Sequence, residues 1–125
     1  MTTQTLAHYI GGEWLSASAE LESINPSNTD EIVARFPRGD GGTIDQAVNA
    51  ARDALPAWSS GSPEMRADLL HKIGEALFAK APELGELLAR EEGKTRAEGM
   101  GETLRAARIF RYFAGESLRR HGLTL

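Results

Sequence analysis

The sequence contains no cysteine, which excludes disulfides, thiolate metal sites and thiol catalysis within it. No apolar run approaches the ~20 residues needed to cross a bilayer. Met1 to His8 carry neither a basic region nor an apolar core, so no secretory signal is read there and the expected compartment is the cytoplasm. Histidine is sparse: His8, His71 and His121 are dispersed, and none has a second histidine or a carboxylate at zincin or zinc-finger spacing. Glu75 follows His71 by four residues, a pair that reads as a solvated contact on one helix face. No G-x-S-x-G elbow is present, so no Ser-His-Asp arrangement can be argued.

What remains is the composition of a folded chain. Its 125 residues are 41% hydrophobic and 26% charged, enough for one domain and unlike a disordered tail. The net charge of −4 conceals an asymmetry: residues 1–93 carry seven basic and fifteen acidic groups, residues 94–125 seven and three. A modestly acidic whole has no general attraction for nucleic acid or an anionic membrane, and neither is expected as a partner.

The first 36 residues read as short strands. Tyr9-Ile10, Gly11-Gly12 and Trp14-Leu15 form a hairpin pattern with a two-residue turn. Leu21 to Ile24 alternates with period two and stops at Asn25-Pro26. Ile32 to Phe36 follows and ends at Pro37. An antiparallel meander of strands this short needs helices to cover it, and a helical region over 43–122 supplies them. After the loop Gly39-Asp40-Gly41-Gly42, Thr43 with Gln46 three residues on predicts a capping box. Ile44, Ala47, Val48, Ala51 and Leu55 then make one apolar stripe, and Pro56 disturbs the helix end, with Trp58 anchoring the exit.

Ser62-Pro63-Glu64 opens a second helix with cap, proline and first-turn acid, its stripe being Leu69, Leu70, Ile73, Ala76 and Leu77. Pro82 marks a break. Leu84, Leu87 and Leu88 continue as a shorter helix that Gly93 terminates. A last helix from about Thr95 to His121, stopping at Gly122, has Met100, Leu104, Ala107, Phe110, Ala114 and Leu118 as its expected inner face. The fold class is therefore α+β: a short antiparallel β-meander followed by three to four helices.

No residue cluster in this pattern is an evident active site. In the loop 39–42, Gly39 and Gly41 match the first glycines of a dinucleotide-binding G-x-G-x-x-G, but position 44 is Ile and Asp40 would repel phosphate. Gly99-Met100-Gly101 lies within a helix, where small residues let another element approach closely. Glu91 and Glu92 are neighbours on a helix and do not face each other, so they form no acid/base pair. Arg105, Arg108 and Arg111 share a helix side, with Arg119 and Arg120 beyond. Glu102 and Glu116 interrupt that run, and cations are expected towards a helix C-terminus.

The order of segments is more specific than any one of them. Ile10-Gly11-Gly12-Glu13-Trp14 resembles the opening hairpin of the aldehyde dehydrogenase superfamily. Ile24 to Asp30 resembles its Asn-Pro turn, here followed by the strand Glu31 to Phe36. Asp45 to Arg52 is similar to its Ala-rich first helix, with Trp58 where that family has its Phe-x-x-Trp. Arg66 with Leu69-Leu70 matches its next helix. Glu92-Gly93-Lys94 with Glu98 resembles its Glu-x-Gly-Lys-x-x-x-Glu-Ala segment, Gly99 replacing the alanine. Tyr112-Phe113-Ala114-Gly115 matches its following helix.

The resemblance covers residues 8–122 and implies the N-terminal part of the α/β NAD(P)-binding domain of such an enzyme. In that family a cysteine attacks the aldehyde, hydride passes from the thiohemiacetal to NAD or NADP, and a glutamate activates water to hydrolyse the thioester. The cysteine, the glutamate and the cofactor loop come after the matched region. The resemblance therefore implies a fragment or truncated product, inactive alone, with no catalytic or cofactor-binding residue and no cofactor of its own. Its parent would be a homo-oligomer acting on a small-molecule aldehyde. It also implies a monovalent cation near the Asn-Pro turn, at Ser23, Ile24 and Glu91, where serine and glutamate replace the threonine and aspartate of some members. The other reading is a stand-alone α+β interaction module that binds a dehydrogenase subunit.

Overall fold

A computed structural model describes residues 3–16 and 20–119. In chain order the elements are β1 (Gln4–Thr5), β2 (His8–Ile10), β3 (Glu13–Leu15), β4 (Glu20–Ile24), β5 (Ile32–Pro37), α1 (Gly41–Ser60), α2 (Pro63–Ala79), α3 (Ala81–Glu92) and α4 (Arg96–Glu116). The α+β order read from the sequence is the one observed. Two compact units are distinguished. One holds the strands, α1 and Arg90–Gly93; the other holds Gly61–Ala89 and the chain from Lys94 on.

In the first unit the strands make two sheets. β2 and β3 form the expected hairpin, with Tyr9 opposite Trp14 and their rings 4.8 Å apart. Its turn residues Gly11 and Gly12 have φ of 62° and 88°, the pair of positive angles a type I′ turn requires. The second sheet has the order β1-β5-β4. β4 and β5 are antiparallel, pairing Glu22 with Arg35 and Ser23 with Ala34, and the register shifts between Ser23 and Ile24. β1 joins β5 in parallel, Gln4 opposite Ala34. That strand is too short to show any alternation in the sequence. As the central strand, β5 supplies the buried Val33 and Ala34.

α1 departs from the sequence reading at both ends. It starts at Gly41, and its cap is Asp40 in place of Thr43. The Asp40 carboxylate accepts the Thr43 N–H at 2.8 Å and the Thr43 hydroxyl at 2.9 Å. The Asp40 carbonyl accepts the Ile44 N–H at 3.1 Å. A carboxylate at the positive end of a helix dipole is the stronger cap. At the other end the helix continues through Pro56 and Trp58 to Ser60. The proline removes one donor near the C-terminal end, and Ser59 Oγ donates to its carbonyl at 3.2 Å.

In the second unit the cap of α2 acts as read, but the buried residues of that helix are Ala67 and Gly74, and Leu69 of the expected stripe is exposed. Ser62 caps α2 by accepting the Met65 N–H at 3.2 Å, with Pro63 at the first position. Thr95 and Glu98 close a reciprocal capping box at the start of α4. The helices approach through small residues: a Cβ on Gly74 would lie 3.0 Å from Arg111 Cγ and 3.1 Å from the Ala107 carbonyl oxygen.

The buried face of α4 is Gly99, Thr103, Ala107 and Ala114. This corrects the expected inner face. Ala107 and Ala114 belong to it, but Met100 and Leu118 are exposed, because glycine and alanine allow the closest backbone approach and so take the contact. α4 ends at Glu116 with Ser117 as its cap, short of the expected end at His121, and Gly122 lies outside the described residues. Among the described residues no large side chain is fully buried. No described helix is long and apolar enough to cross a membrane.

Candidate functional site

The densest polar cluster of the first unit joins the β4–β5 turn to Arg90–Gly93. The turn is self-supporting. Asn25, buried at 8% exposure, accepts the Ser27 N–H on its side-chain oxygen at 2.9 Å, an Asx turn. Its main chain closes two further bonds, Asn25 N–H to the Glu31 carbonyl at 3.0 Å and Asn28 N–H to the Asn25 carbonyl at 3.0 Å. The Asn25 amide also donates to Glu31 Oε2 at 2.7 Å.

Glu31 then reaches the end of α3. Its Oε1 accepts from Arg90 Nε at 2.8 Å and lies 2.7 Å from the second guanidinium nitrogen, a two-pronged pair of the kind arginine's planar fork favours. Ser27 Oγ donates to the Gly93 carbonyl at 2.9 Å. Gly93 ends α3 with φ of 74°, the left-handed turn that satisfies a helix C-terminus. Ser23 Oγ donates to Glu91 Oε1 at 3.5 Å. Ser23 and Glu91 are thus brought together from positions 68 apart in the chain. Ile24 adjoins them at the register shift of β4, its side chain exposed.

The Asn25 amide, and after it the Arg90 guanidinium, hold the Glu31 carboxyl below its ordinary value. A carboxyl lowered in the folded state stabilises the fold above its unfolded value of about 4.3, and that contribution is lost as the pH falls through the folded value. Asp40, lowered by the Thr43 N–H and hydroxyl, and Glu98, lowered by the Thr95 hydroxyl and N–H, act with the same sign. Thermal unfolding followed from neutrality into acid should therefore show a falling limb. Glu31→Gln should make that limb shallower without abolishing it, and an unchanged slope would contradict the Glu31 assignment.

Asn25, Glu31 and Arg90 were not marked as a site by the sequence. A signal was present in Asn25-Pro26 followed by an acid at the next strand, but its partner stands 59 residues away. Of the other candidates, Asp40 takes the Thr43 amide and hydroxyl at the start of α1, so the loop 39–42 presents an acid where a phosphate would need free donors. The residues of this chain do not fit a dinucleotide there. His71 Nε2 lies 4.0 Å from Glu75, and both side chains are exposed. His8 stands beside Gly39; His121 lies outside the described residues. Among the described residues no three His, Asp or Glu side chains group as a metal site. Arg111 pairs with Glu75 at 2.6 Å and lies over the Phe78 ring, a structural use of one member of the arginine run. Arg119 pairs with Glu116 at 3.1 Å, and Arg120 lies outside the described residues.

The model of the aldehyde dehydrogenase family matches residues 14–125. The chain belongs to that family. Malonate-semialdehyde dehydrogenase 2 of Bacillus thuringiensis (strain Al Hakam) is 36% identical over 115 residues, which are 91% of this chain and 24% of that protein. Lactaldehyde dehydrogenase from Escherichia coli has a similar structure, with a TM-score of 0.91 and 26% identity over 98% of this chain and 26% of that one. An NAD-dependent aldehyde dehydrogenase from Sinorhizobium meliloti aligns with a TM-score of 0.88 and 26% identity, over 92% of this chain and 24% of that one. The chain thus spans about a quarter of the length of the relatives it matches. This aldehyde dehydrogenase segment corresponds to their N-terminal part. The matches give no support to a separate interaction module.

Proposed function

We propose that the chain is the N-terminal portion of an NAD(P)-dependent aldehyde dehydrogenase and supplies the outer strands and first helices of its cofactor-binding domain. The observation that carries this reading is a match over nine-tenths of this chain to only a quarter of each relative. The parent oxidises an aldehyde to a carboxylic acid and passes hydride to the nicotinamide. Malonate semialdehyde and lactaldehyde, in the names of two relatives, are short polar aldehydes, and that class is proposed for the parent. This chain has no thiol to attack a carbonyl, and its loop 39–42 does not fit a dinucleotide. The role of its own residues is to hold the strand-to-helix junction of the domain. Purified chain incubated with NAD or NADP and either aldehyde should produce no reduced nicotinamide. Aldehyde-dependent reduction would overturn the reading.

The same reading places a monovalent cation at the main chain of Ser23 and Ile24 and the carboxylate of Glu91. What supports it is the long bond from the Ser23 hydroxyl to Glu91, which brings that carboxylate to the strand carrying the two main-chain oxygens, and such an ion takes oxygen ligands. Potassium or sodium should raise the melting temperature relative to tetramethylammonium at equal ionic strength, and Glu91→Gln should remove the difference. Equal melting in all three salts would remove the site.

A further inference from the structure

The apolar stripe that the sequence writes on α1 is not used inside its own unit. Ile44, Val48 and Leu55 are 61%, 50% and 58% exposed, and none of the twenty residues of α1 is buried. A helix with such a stripe is stable when the stripe is covered.

α4, in the other unit, has the same defect in a sharper form. Its glycine, threonine and alanine face is buried. Its other side carries Ile109, Tyr112 and Phe113 at i, i+3 and i+4, all about half exposed or more. With Leu70 of α2, Tyr112 and Phe113 line an open cleft of about 480 Å³. A helix that is apolar on opposite faces belongs inside a protein.

We propose that the exposed stripes of α1 and α4 are docking surfaces for one occupant, the polypeptide its relatives carry beyond the matched segment. This chain can bind that polypeptide without a covalent link. The inference rests on the reading of the chain as an N-terminal portion. Its specific support is the coincidence of two uncovered apolar faces, one on each unit, with relatives about three-quarters of whose length lies outside the match. A second copy of the chain is a poorer occupant. A two-fold contact joins one patch to itself, so pairing through either face would leave the other in water. Exposed apolar surfaces of this kind mark interaction sites.

The test is co-expression of the tagged chain with malonate-semialdehyde dehydrogenase 2 of Bacillus thuringiensis lacking its matched segment. The expected result is one-to-one co-purification, with a fall in hydrophobic-dye fluorescence relative to the chain alone. Val48→Glu and Phe113→Glu should each weaken capture by roughly 30-fold or more, as loss of a buried anchor does. Asn49→Glu, off the α1 stripe, should leave it unchanged.

Should the truncated relative be insoluble alone, the two pieces are joined in one chain. The fusion should bind little dye, and Phe113→Glu should restore dye binding. Three results would each overturn the proposal: a soluble remainder that is not captured, a fusion as dye-reactive as the free chain, or a free chain that binds no dye because it forms a stable dimer. Aldehyde oxidation by the free chain would instead defeat the reading beneath it, and capture is read without any activity.

Discussion

Gly85→Ala should destabilise the second unit by about 2–3 kcal/mol, the upper range for forcing a methyl into a packed contact. A Cβ at Gly85 would stand 2.6 Å from Met100 Cα, 2.7 Å from Met100 N and 3.1 Å from Gly99 C. All three are main-chain atoms of α4, so no side-chain rotation relieves the clash, and α3 and α4 must separate. The contact is reciprocal, because a Cβ on Gly99 would run into the Gly85 carbonyl oxygen and lie 3.2 Å from the Ala89 nitrogen. Gly101 is the matched control. It lies on α4, two residues from Gly99, its Cβ would meet nothing within 4 Å, and alanine there should add about 0.5–1 kcal/mol through helix propensity alone. Urea unfolding followed by helical circular dichroism separates the two. Equal midpoints for Gly85→Ala and the parent chain would show that α3 and α4 do not meet through these glycines.

Gly93→Ala should cost about 2 kcal/mol or more, from two sources that a second substitution divides. The backbone there is left-handed, φ 74°, which penalises an L side chain by roughly 1–2 kcal/mol. A Cβ would also stand 2.7 Å from Pro26 Cγ and 3.0 Å from Ser27 Oγ, and the hydroxyl that donates to the Gly93 carbonyl would have to move. Asparagine tolerates the left-handed region far better than alanine but brings the same Cβ. Gly93→Asn should therefore recover the conformational part and keep the clash. If Asn and Ala melt together, the loss is steric; if Asn melts with the parent chain, Pro26 gives way and the close approach carries no cost.

These two glycines also show what the sequence discloses. Gly93 is legible as a helix terminator because only glycine serves that turn well, and Gly99-Met100-Gly101 is legible as a close-approach segment. Which element approaches is not legible, since Gly85 stands in α3 among ordinary helix formers. A local signal of fixed spacing such as Ser62-Pro63 reads correctly because its partners lie within one turn, whereas the Thr95–Glu98 box has the same spacing and was not marked. Asp40 was displaced by Thr43 because Gly41 and Gly42 read as loop, although they open the helix. The Glu31–Arg90 pair could not be read at all, for its geometry exists only once the Asn25 turn meets the end of α3. Ser23 and Glu91 came from the resemblance, and their positions adjoin that junction. The α1 stripe is plain in the sequence, yet periodicity states only that a helix has an apolar face and never what covers it.

On the proposed reading this chain is the N-terminal portion of an aldehyde dehydrogenase and does not itself oxidise the aldehyde. The most direct test of that reading is nicotinamide reduction by the purified chain over a wide concentration range, with malonate semialdehyde and lactaldehyde, beside Escherichia coli lactaldehyde dehydrogenase as the working control. The predicted result is the buffer rate at every concentration of the chain. A rate that rises in proportion to the chain and requires the aldehyde would contradict the account.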